Sequence, residues 1–120
     1  MDFTSLINQA GEKNIDIMLV PAWDWRAIDP LHARMAVFRA IENGFSMVRQ
    51  TGNGLSIAVD YEGHTLSAMD QFTSDNNTMI SQIPAKGVKT IYRMIGDSFA
   101  WLCVIGFLFG IAWASIKRGN

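Results

Sequence analysis

The feature that most constrains this chain is an apolar run near its C-terminus. No charged side chain occurs from Ser98 to Ile116. At about 1.5 Å per residue, a helix over this run would be roughly 28 Å long, which matches the hydrocarbon core of a bilayer. Trp101 and Trp113 lie near its ends, where indole rings favour the membrane interface. The run predicts a transmembrane helix over 98–116, followed by a short basic tail over 117–120.

Two questions about this run stay open at the level of sequence. A buried core helix is the alternative to a membrane span, although the rest of the chain is short for enclosing a helix that is apolar on all sides. The flanking charges also do not orient a span, because basic residues before the run are balanced by basic residues after it. Those flanking residues are Lys86, Lys89, Arg93, Lys117 and Arg118.

Composition argues against several classes of site. The net charge of −1 provides no positive field that would attract nucleic acid. The only cysteine, Cys103, lies inside the apolar run, where it has neither a disulfide partner nor water to stabilise a thiolate. His32 and His64 have no cysteine nearby and fall in different predicted elements, so no zinc pattern connects them. We predict no nucleic-acid partner, no metal and no cofactor.

The preceding residues, 1–97, begin with a helical pattern and then a strand. Four apolar residues repeat at helical spacing, and Gly11 follows them where a left-handed C-cap is expected. These four residues are Phe3, Leu6, Ile7 and Ala10. The almost continuous apolar run from Ile15 to Val20 then predicts a strand buried on both faces.

A second helix has clear boundary signals. Asp29 is predicted to be its N-cap, Pro30 its first residue, and Gly44 its C-cap. Apolar side chains at helical spacing between these boundaries predict the face that packs on the core. This face comprises Leu31, Met35, Phe38 and Ile41.

From Phe45 onward the apolar residues alternate with a period of two, which is typical of strands. We predict strands over 45–50, 55–60 and 64–69, the last two joined as a hairpin by the turn from Asp60 to Gly63. A further short strand is predicted from Thr78 to Ile83, and a connector from Pro84 to Arg93 leads to the apolar run.

Several motifs occur in a specific order along the chain. Val20-Pro-Ala-Trp-Asp-Trp25 follows the first predicted strand, Arg39-Ala-Ile-Glu-Asn-Gly44 ends the second helix, and Val48-Arg-Gln-Thr-Gly-Asn-Gly54 comes next. Together they resemble the C-terminal part of a carbon–nitrogen hydrolase domain of the nitrilase superfamily. With Gly87-Val-Lys-Thr-Ile-Tyr92 leading into the apolar run, the resemblance is closest to membrane proteins of the apolipoprotein N-acyltransferase type. It implies an α/β fold, in which part of an α-β-β-α sandwich is followed by one C-terminal transmembrane helix.

The resemblance also implies a chemistry. The family uses a cysteine nucleophile, a glutamate base and a lysine that stabilises the oxyanion. By the family register all three belong before Met1, and neither Lys13 nor Glu42 matches a triad position. Cys103 matches the membrane span and not the nucleophile turn. We therefore assign no catalytic residue to this chain.

The resemblance points to residues that would surround such a centre. Trp23, Asp24 and Trp25 match the loop that shapes the substrate pocket in the family, and the alternative is a surface loop with packed aromatics. His32 matches a histidine near the start of the following helix, and a cap or surface role is its alternative.

Three further charged residues are predicted to support the structure. Arg39 and Glu42 are three residues apart on the second helix and are placed to form an ion pair. Arg49, on the following strand, is predicted to join them, because a buried arginine without a partner would be costly.

The function implied by the resemblance is that of a fragment of a membrane-bound N-acyltransferase, which moves an acyl group from phospholipid to the N-terminus of lipoproteins through a cysteine thioester. The alternatives are a fragment of a membrane-anchored amidase or nitrilase-like hydrolase, and a catalytically dead membrane-anchored interaction module. Expected partners are membrane lipid, a separate N-terminal half of the same domain, and a lipoprotein substrate of the intact enzyme. The expected location is the cell membrane, with the domain on its outer side.

Overall fold

The computed structural model describes residues 4–118, so Phe3 of the first predicted helix and residues 119–120 of the predicted tail lie outside the described part. In chain order the elements are α1 (Thr4–Glu12), β1 (Ile17–Ala22), α2 (Asp29–Asn43), β2 (Ser46–Thr51), β3 (Leu55–Val59), β4 (Thr65–Asp70), α3 (Ile91–Ile95) and α4 (Ser98–Arg118).

The strands form one sheet in the order β1-β2-β3-β4. β1 and β2 are parallel, with Val20 opposite Arg49, and α2 is the crossover between them. β2 pairs with β3, and β3 with β4, in antiparallel ladders. The buried core lies where α2 packs on the sheet, with Phe45, Met47 and Val59 fully enclosed. The predicted α/β fold is therefore confirmed, as one sheet with a layer of helices.

The strand predicted from Ile15 to Val20 is displaced to Ile17–Ala22 and is not buried on both faces. Alternate residues are exposed, and Leu19 exposes 73% of its surface. The reason is that only one face of β1 packs against the core. In the described sheet β1 is also an edge strand. An edge position also accommodates Pro21, which has no backbone N–H to give to a ladder.

The prediction of which face of α2 packs on the core is wrong. Its large apolar residues Leu31, Met35, Phe38 and Ile41 are exposed. The residues that pack on the sheet are instead Ala33, Ala36 and Ala40, with Val37 partly buried beside them. Because alanine side chains end at Cβ, this face lets the helix lie close to the strands, and the bulky residues are left on the opposite side.

Gly44 is confirmed as the C-cap of α2, in the left-handed conformation with φ 69°, and Pro30 lies in the first turn of that helix. Gly11 lies inside α1, where an added Cβ would come within 2.3 Å of Asn43 Oδ1. Asp29 is the first residue of α2 and not its N-cap, because its carboxylate instead accepts a hydrogen bond from the Leu55 N–H at 2.5 Å.

The hairpin of β3 and β4 is confirmed, with the Gly63 N–H donating to the Asp60 carbonyl at 3.1 Å. The strand predicted from Thr78 to Ile83 is wrong, because these residues form no strand in the structure. Among the described residues they have no neighbouring strand with which to form a ladder, and a strand exists only where such hydrogen bonds are made.

The predicted connector from Pro84 to Arg93 leads through the short helix α3 into α4. α4 is long and apolar enough to cross a membrane over Ser98–Lys117, and none of this stretch is buried. A core helix would be mostly buried, so the core alternative does not hold within the described residues. Lys117 belongs to the helix, so the predicted basic tail begins inside α4.

Candidate functional site

The candidate site is built around Asp24, in the loop that follows β1. The Asp24 side chain is almost completely buried, and Arg49 of β2 donates from Nη2 to its Oδ2 at 2.6 Å. His32 Nδ1 lies 3.0 Å from Asp24 Oδ1. These three residues come from the end of β1, the first turns of α2, and β2, so they meet near the carboxyl ends of the two parallel strands. Open α/β sheets commonly bind their ligands at this edge.

All the hydrogen-bond partners observed for the Arg49 side chain lie at or beside this site. Its Nη1 donates to Thr51 Oγ1 at 2.6 Å and to the Leu55 carbonyl at 3.2 Å. The prediction that Arg49 joins Arg39 and Glu42 is therefore wrong. The required counter-ion is Asp24, which the crossover connection brings to β2.

The electrostatics favour an ionised Asp24. Burial by itself would raise the pKa of this carboxyl, but hydrogen bonds from His32 and Arg49, together with the charges of both, outweigh burial and lower the pKa. The Asn53 side-chain amide also donates to the Asp24 backbone carbonyl at 3.0 Å. The loop is therefore held through both the side chain and the backbone of Asp24.

The two tryptophans flank Asp24 in sequence but point outward. Trp23 and Trp25 expose 76% and 61% of their surfaces. Trp25 meets the His32 ring edge to face, with 6.5 Å between ring centroids. Trp23 covers Gly52 so closely that an added Cβ there would lie 2.5 Å from Trp23 Cε3. The four predicted pocket residues thus occupy one place, and their binding of substrate remains a prediction.

Arg39 and Glu42 form the ion pair that their spacing allows, with N–O distances of 3.0 and 2.8 Å. Burial raises the pKa of Glu42 and the Asp97 charge adds to this effect, while the Arg39 charge opposes it. The contribution of this pair to structural support remains a prediction.

Residues of the turn between β2 and β3 also belong to the site, although no sequence motif placed them there. Thr51 receives the Arg49 bond and donates its backbone N–H to Ser56 Oγ at 3.0 Å. At Gly54 an added Cβ would lie 2.2 Å from Asp29 Oδ1. The two glycines in Thr51-Gly-Asn-Gly54 were a signal for a tight turn, but nothing local indicated that the turn lies against Asp24.

The arrangement holds side chains in place and includes no cysteine. Cys103, the only cysteine of the sequence, lies on exposed α4. Away from the site, Asp60, Glu62 and His64 come close enough together to share a metal ion. They sit on an exposed hairpin turn, where the Asp60 carboxylate already accepts bonds from the Glu62 and His64 backbone N–H groups at 2.9 Å. We assign no metal to this turn.

No family model matches the sequence. In fold, the chain resembles the Nesterenkonia AN1 amidase, which is from the nitrilase superfamily, with a TM-score of 0.50 and 20% sequence identity. The similarity covers 57% of this chain and 30% of the amidase.

Sequence relatives match most of the chain. Apolipoprotein N-acyltransferase 1 of Treponema denticola is 31% identical over 98 residues, which are 81% of this chain. The apolipoprotein N-acyltransferases of Geobacter metallireducens and Vibrio vulnificus are 30% and 27% identical over 82% and 98% of it. The chain is a relative of the apolipoprotein N-acyltransferases. The resemblance seen in the motifs is thereby confirmed. The chain spans about a fifth of the length of these N-acyltransferases, with 18%, 19% and 24% of each covered.

Proposed function

We propose that this chain is part of a membrane-bound N-acyltransferase that moves an acyl group from phospholipid to the N-terminus of lipoproteins. The observation that carries the proposal is the 31% identity to apolipoprotein N-acyltransferase 1 over 81% of the chain. In the proposed reaction a cysteine thiolate, supplied by residues outside this chain, attacks an ester carbonyl of the phospholipid. The lysophospholipid oxygen takes up a proton and leaves as an alcohol. The lipoprotein amine then attacks the thioester, gives up a proton to form the amide, and releases the thiolate.

The exposed apolar helix α4 supports the membrane part of this proposal. It is long enough to cross the bilayer and follows the α/β segment directly. A phospholipid donor keeps its acyl chains in the bilayer, so a domain held at the membrane surface meets its substrate without extracting it. In this proposal α4 is the single span of the chain and the domain lies on the outer side of the cell membrane, beside an N-terminal portion of the same domain.

The Asp24 cluster would serve this reaction by positioning. The ion pair with Arg49 and the bond to His32 fix the loop that presents Trp23 and Trp25. Two exposed indole rings offer an apolar wall that suits an acyl chain, while the buried charges behind them hold that wall rigid. Asp24 and Arg49 are positioning residues in this scheme, because they act through the loop and not on reacting atoms.

A chimera tests the proposal. Residues 1–120 would replace the matched segment of the Vibrio vulnificus relative, which covers 98% of this chain, in a bacterium depleted of its own N-acyltransferase. We expect mass spectrometry to find a reporter lipoprotein N-acylated, and Asp24→Asn to lower the acylated fraction. Asp75→Asn is the matched control, because Asp75 is exposed in a loop. A chimera that is folded in the membrane but leaves the lipoprotein amine free contradicts the proposal.

The main competing function is that of a membrane-anchored amidase or nitrilase-like hydrolase, favoured by the fold likeness to the Nesterenkonia amidase. The same chimera distinguishes it, because a hydrolase would release ammonia from small amides without acylating the lipoprotein. A chimera that folds and does neither would favour a catalytically dead interaction module.

A further inference from the structure

The short helix α3, directly before α4, has one apolar side that the domain does not cover. Ile91 and Met94 expose 75% and 79% of their surfaces, and Ile95 is also exposed. These residues are three and four positions apart, so they share one side of the helix. Tyr92 and Arg93, on the other side, are partly buried. α3 is therefore amphipathic, with its apolar side facing away from the domain.

The position of α3 is fixed by the domain. In the connector, the Val88 N–H donates to the Gly44 carbonyl at 2.7 Å, and the Gly87 N–H donates to Asp16 Oδ1 at 2.9 Å. At the start of α3, Thr90 Oγ1 bonds the Glu42 carbonyl and also accepts the Arg93 N–H. These bonds attach the connector and the start of α3 to the domain.

The apolar side of α3 continues into α4. Ile91, Ile95 and Phe99 line one open hollow of about 320 Å³ where the two helices join. At the same junction Tyr92 donates its hydroxyl to Asp97 Oδ1 at 2.8 Å. The exposed apolar surface of α3 is thus continuous with that of the candidate span.

The charges around this surface suit a phospholipid headgroup layer. Residues 84–97 contain three basic side chains and one acidic side chain, Asp97, which is bonded to Tyr92. Lys86 and Lys89 are exposed, whereas Arg93 is bonded to Asn14. A basic segment beside an amphipathic helix is attracted to anionic lipid phosphates.

We propose that α3 lies in the headgroup layer of the bilayer, with Ile91, Met94 and Ile95 at the acyl boundary and with Lys86 and Lys89 binding lipid phosphates. The inference rests on the proposed function only in taking α4 as a membrane span. It adds a second membrane contact, which sets how the domain sits on the lipid surface. An amphipathic helix in this layer buries its apolar side by about 5–10 Å.

Depth measurements on the full chain test this inference. In a Cys103→Ser background, a polarity-sensitive dye is attached in turn at Ile91→Cys, Met94→Cys and Phe107→Cys. Ile80→Cys is the aqueous control, because Ile80 is 87% exposed in a loop. The protein is reconstituted in phosphatidylcholine vesicles with and without phosphatidylglycerol, carrying nitroxide quenchers at shallow or deep positions.

We expect blue-shifted emission and shallow quenching at 91 and 94, deep quenching at 107, and water-like emission at 80. If 107 is deep while 91 and 94 behave like 80, the inference is wrong and the span remains. If 107 is also water-like, both the inference and the proposed membrane span are wrong.

A charge reversal tests the role of the lysines. The double variant Lys86→Glu and Lys89→Glu should lose shallow quenching at 94 in vesicles that contain phosphatidylglycerol, and added salt should reduce the difference. Lys13→Glu is the matched control, since Lys13 is exposed on the loop after α1. Equal quenching in the double variant and the control would overturn the proposed phosphate contacts.

Discussion

Asp24 and Arg49 form a buried ion pair with 2.6 Å between Oδ2 and Nη2, although 25 residues separate them in the chain. Both side chains are almost entirely removed from solvent. The pair joins the loop after β1 to β2, and the exposed tryptophans extend from that loop. Because each buried charge depends on the other, the loss of one partner costs more than the pair itself contributes.

The first prediction concerns the free energy of unfolding. Asp24→Asn should destabilise the full chain by about 3–5 kcal/mol, because it leaves the Arg49 charge buried without a counter-ion. The double variant with Arg49→Met should lose less than the sum of the two single losses. Pulse proteolysis in urea, on detergent-solubilised chain, measures these differences. Asp75→Asn should change stability by less than about 0.5 kcal/mol, and an equal loss in Asp75→Asn would contradict the assignment.

The second prediction concerns acid stability. The pKa of Asp24 is lowered in the folded chain below its ordinary value of 3.8. Its contribution to stability is therefore fully present above that value and is lost as the pH falls through the lower, folded pKa. The free energy of unfolding, measured as a function of pH, should fall less at acid pH in Asp24→Asn than in the parent. Some acid loss should persist, because the pKa of Asp60 is lowered too, where bonds from His64 outweigh the effect of burial.

The third prediction concerns membrane insertion. Phe107→Arg, near the middle of α4, should weaken insertion by about 3 kcal/mol on translocon-type scales. Phe107→Leu is the control, because it keeps an apolar side chain at this position, and it should insert as the parent does. The measurement is the fraction of chain that resists extraction by alkaline carbonate. Full extraction of the parent chain would refute the span.

The fourth prediction concerns residues 1–97 expressed alone. The exposed face of β1 and the bulky side of α2 leave Leu19 and Phe38 in water, so this segment should associate with itself or aggregate. Sedimentation should detect dimers or larger species, and Leu19→Lys with Phe38→Lys should reduce them. A well-protected monomer by hydrogen exchange, with a cooperative unfolding transition, is the contrary result.

The fifth prediction concerns activity of the isolated 120 residues. They should show neither amidase nor acyltransferase turnover, because their single cysteine lies on α4. Loss of a nucleophile typically removes several orders of magnitude in rate. The measurement is release of ammonia from amides and acylation of a lipopeptide amine. Turnover that is blocked by a thiol reagent and abolished in Cys103→Ser would contradict this view.

Features that depend on neighbouring residues could be predicted from the sequence alone. Three features occur at the positions that the local sequence pattern predicts. They are the apolar helix that begins at Ser98, the left-handed cap at Gly44 and the hairpin turn from Asp60 to Gly63. The boundary signal at Gly11 failed because α1 continues to Glu12, and the left-handed residue after it is Asn14, with φ 56°. The Asp29 carboxylate does not cap α2, because it accepts a hydrogen bond from the distant Leu55 N–H.

The sequence by itself determined the order and kind of most elements, because helix periodicity, strand alternation and turn chemistry are properties of short segments. Only the tertiary structure decided that α2 packs through Ala33, Ala36 and Ala40, since the close approach of helix and sheet selects small residues. It also decided that Arg49 pairs with Asp24 and not with Glu42. A buried charge takes the counter-ion that the fold brings within bonding distance, and that distance depends on how the crossover places β1 beside β2.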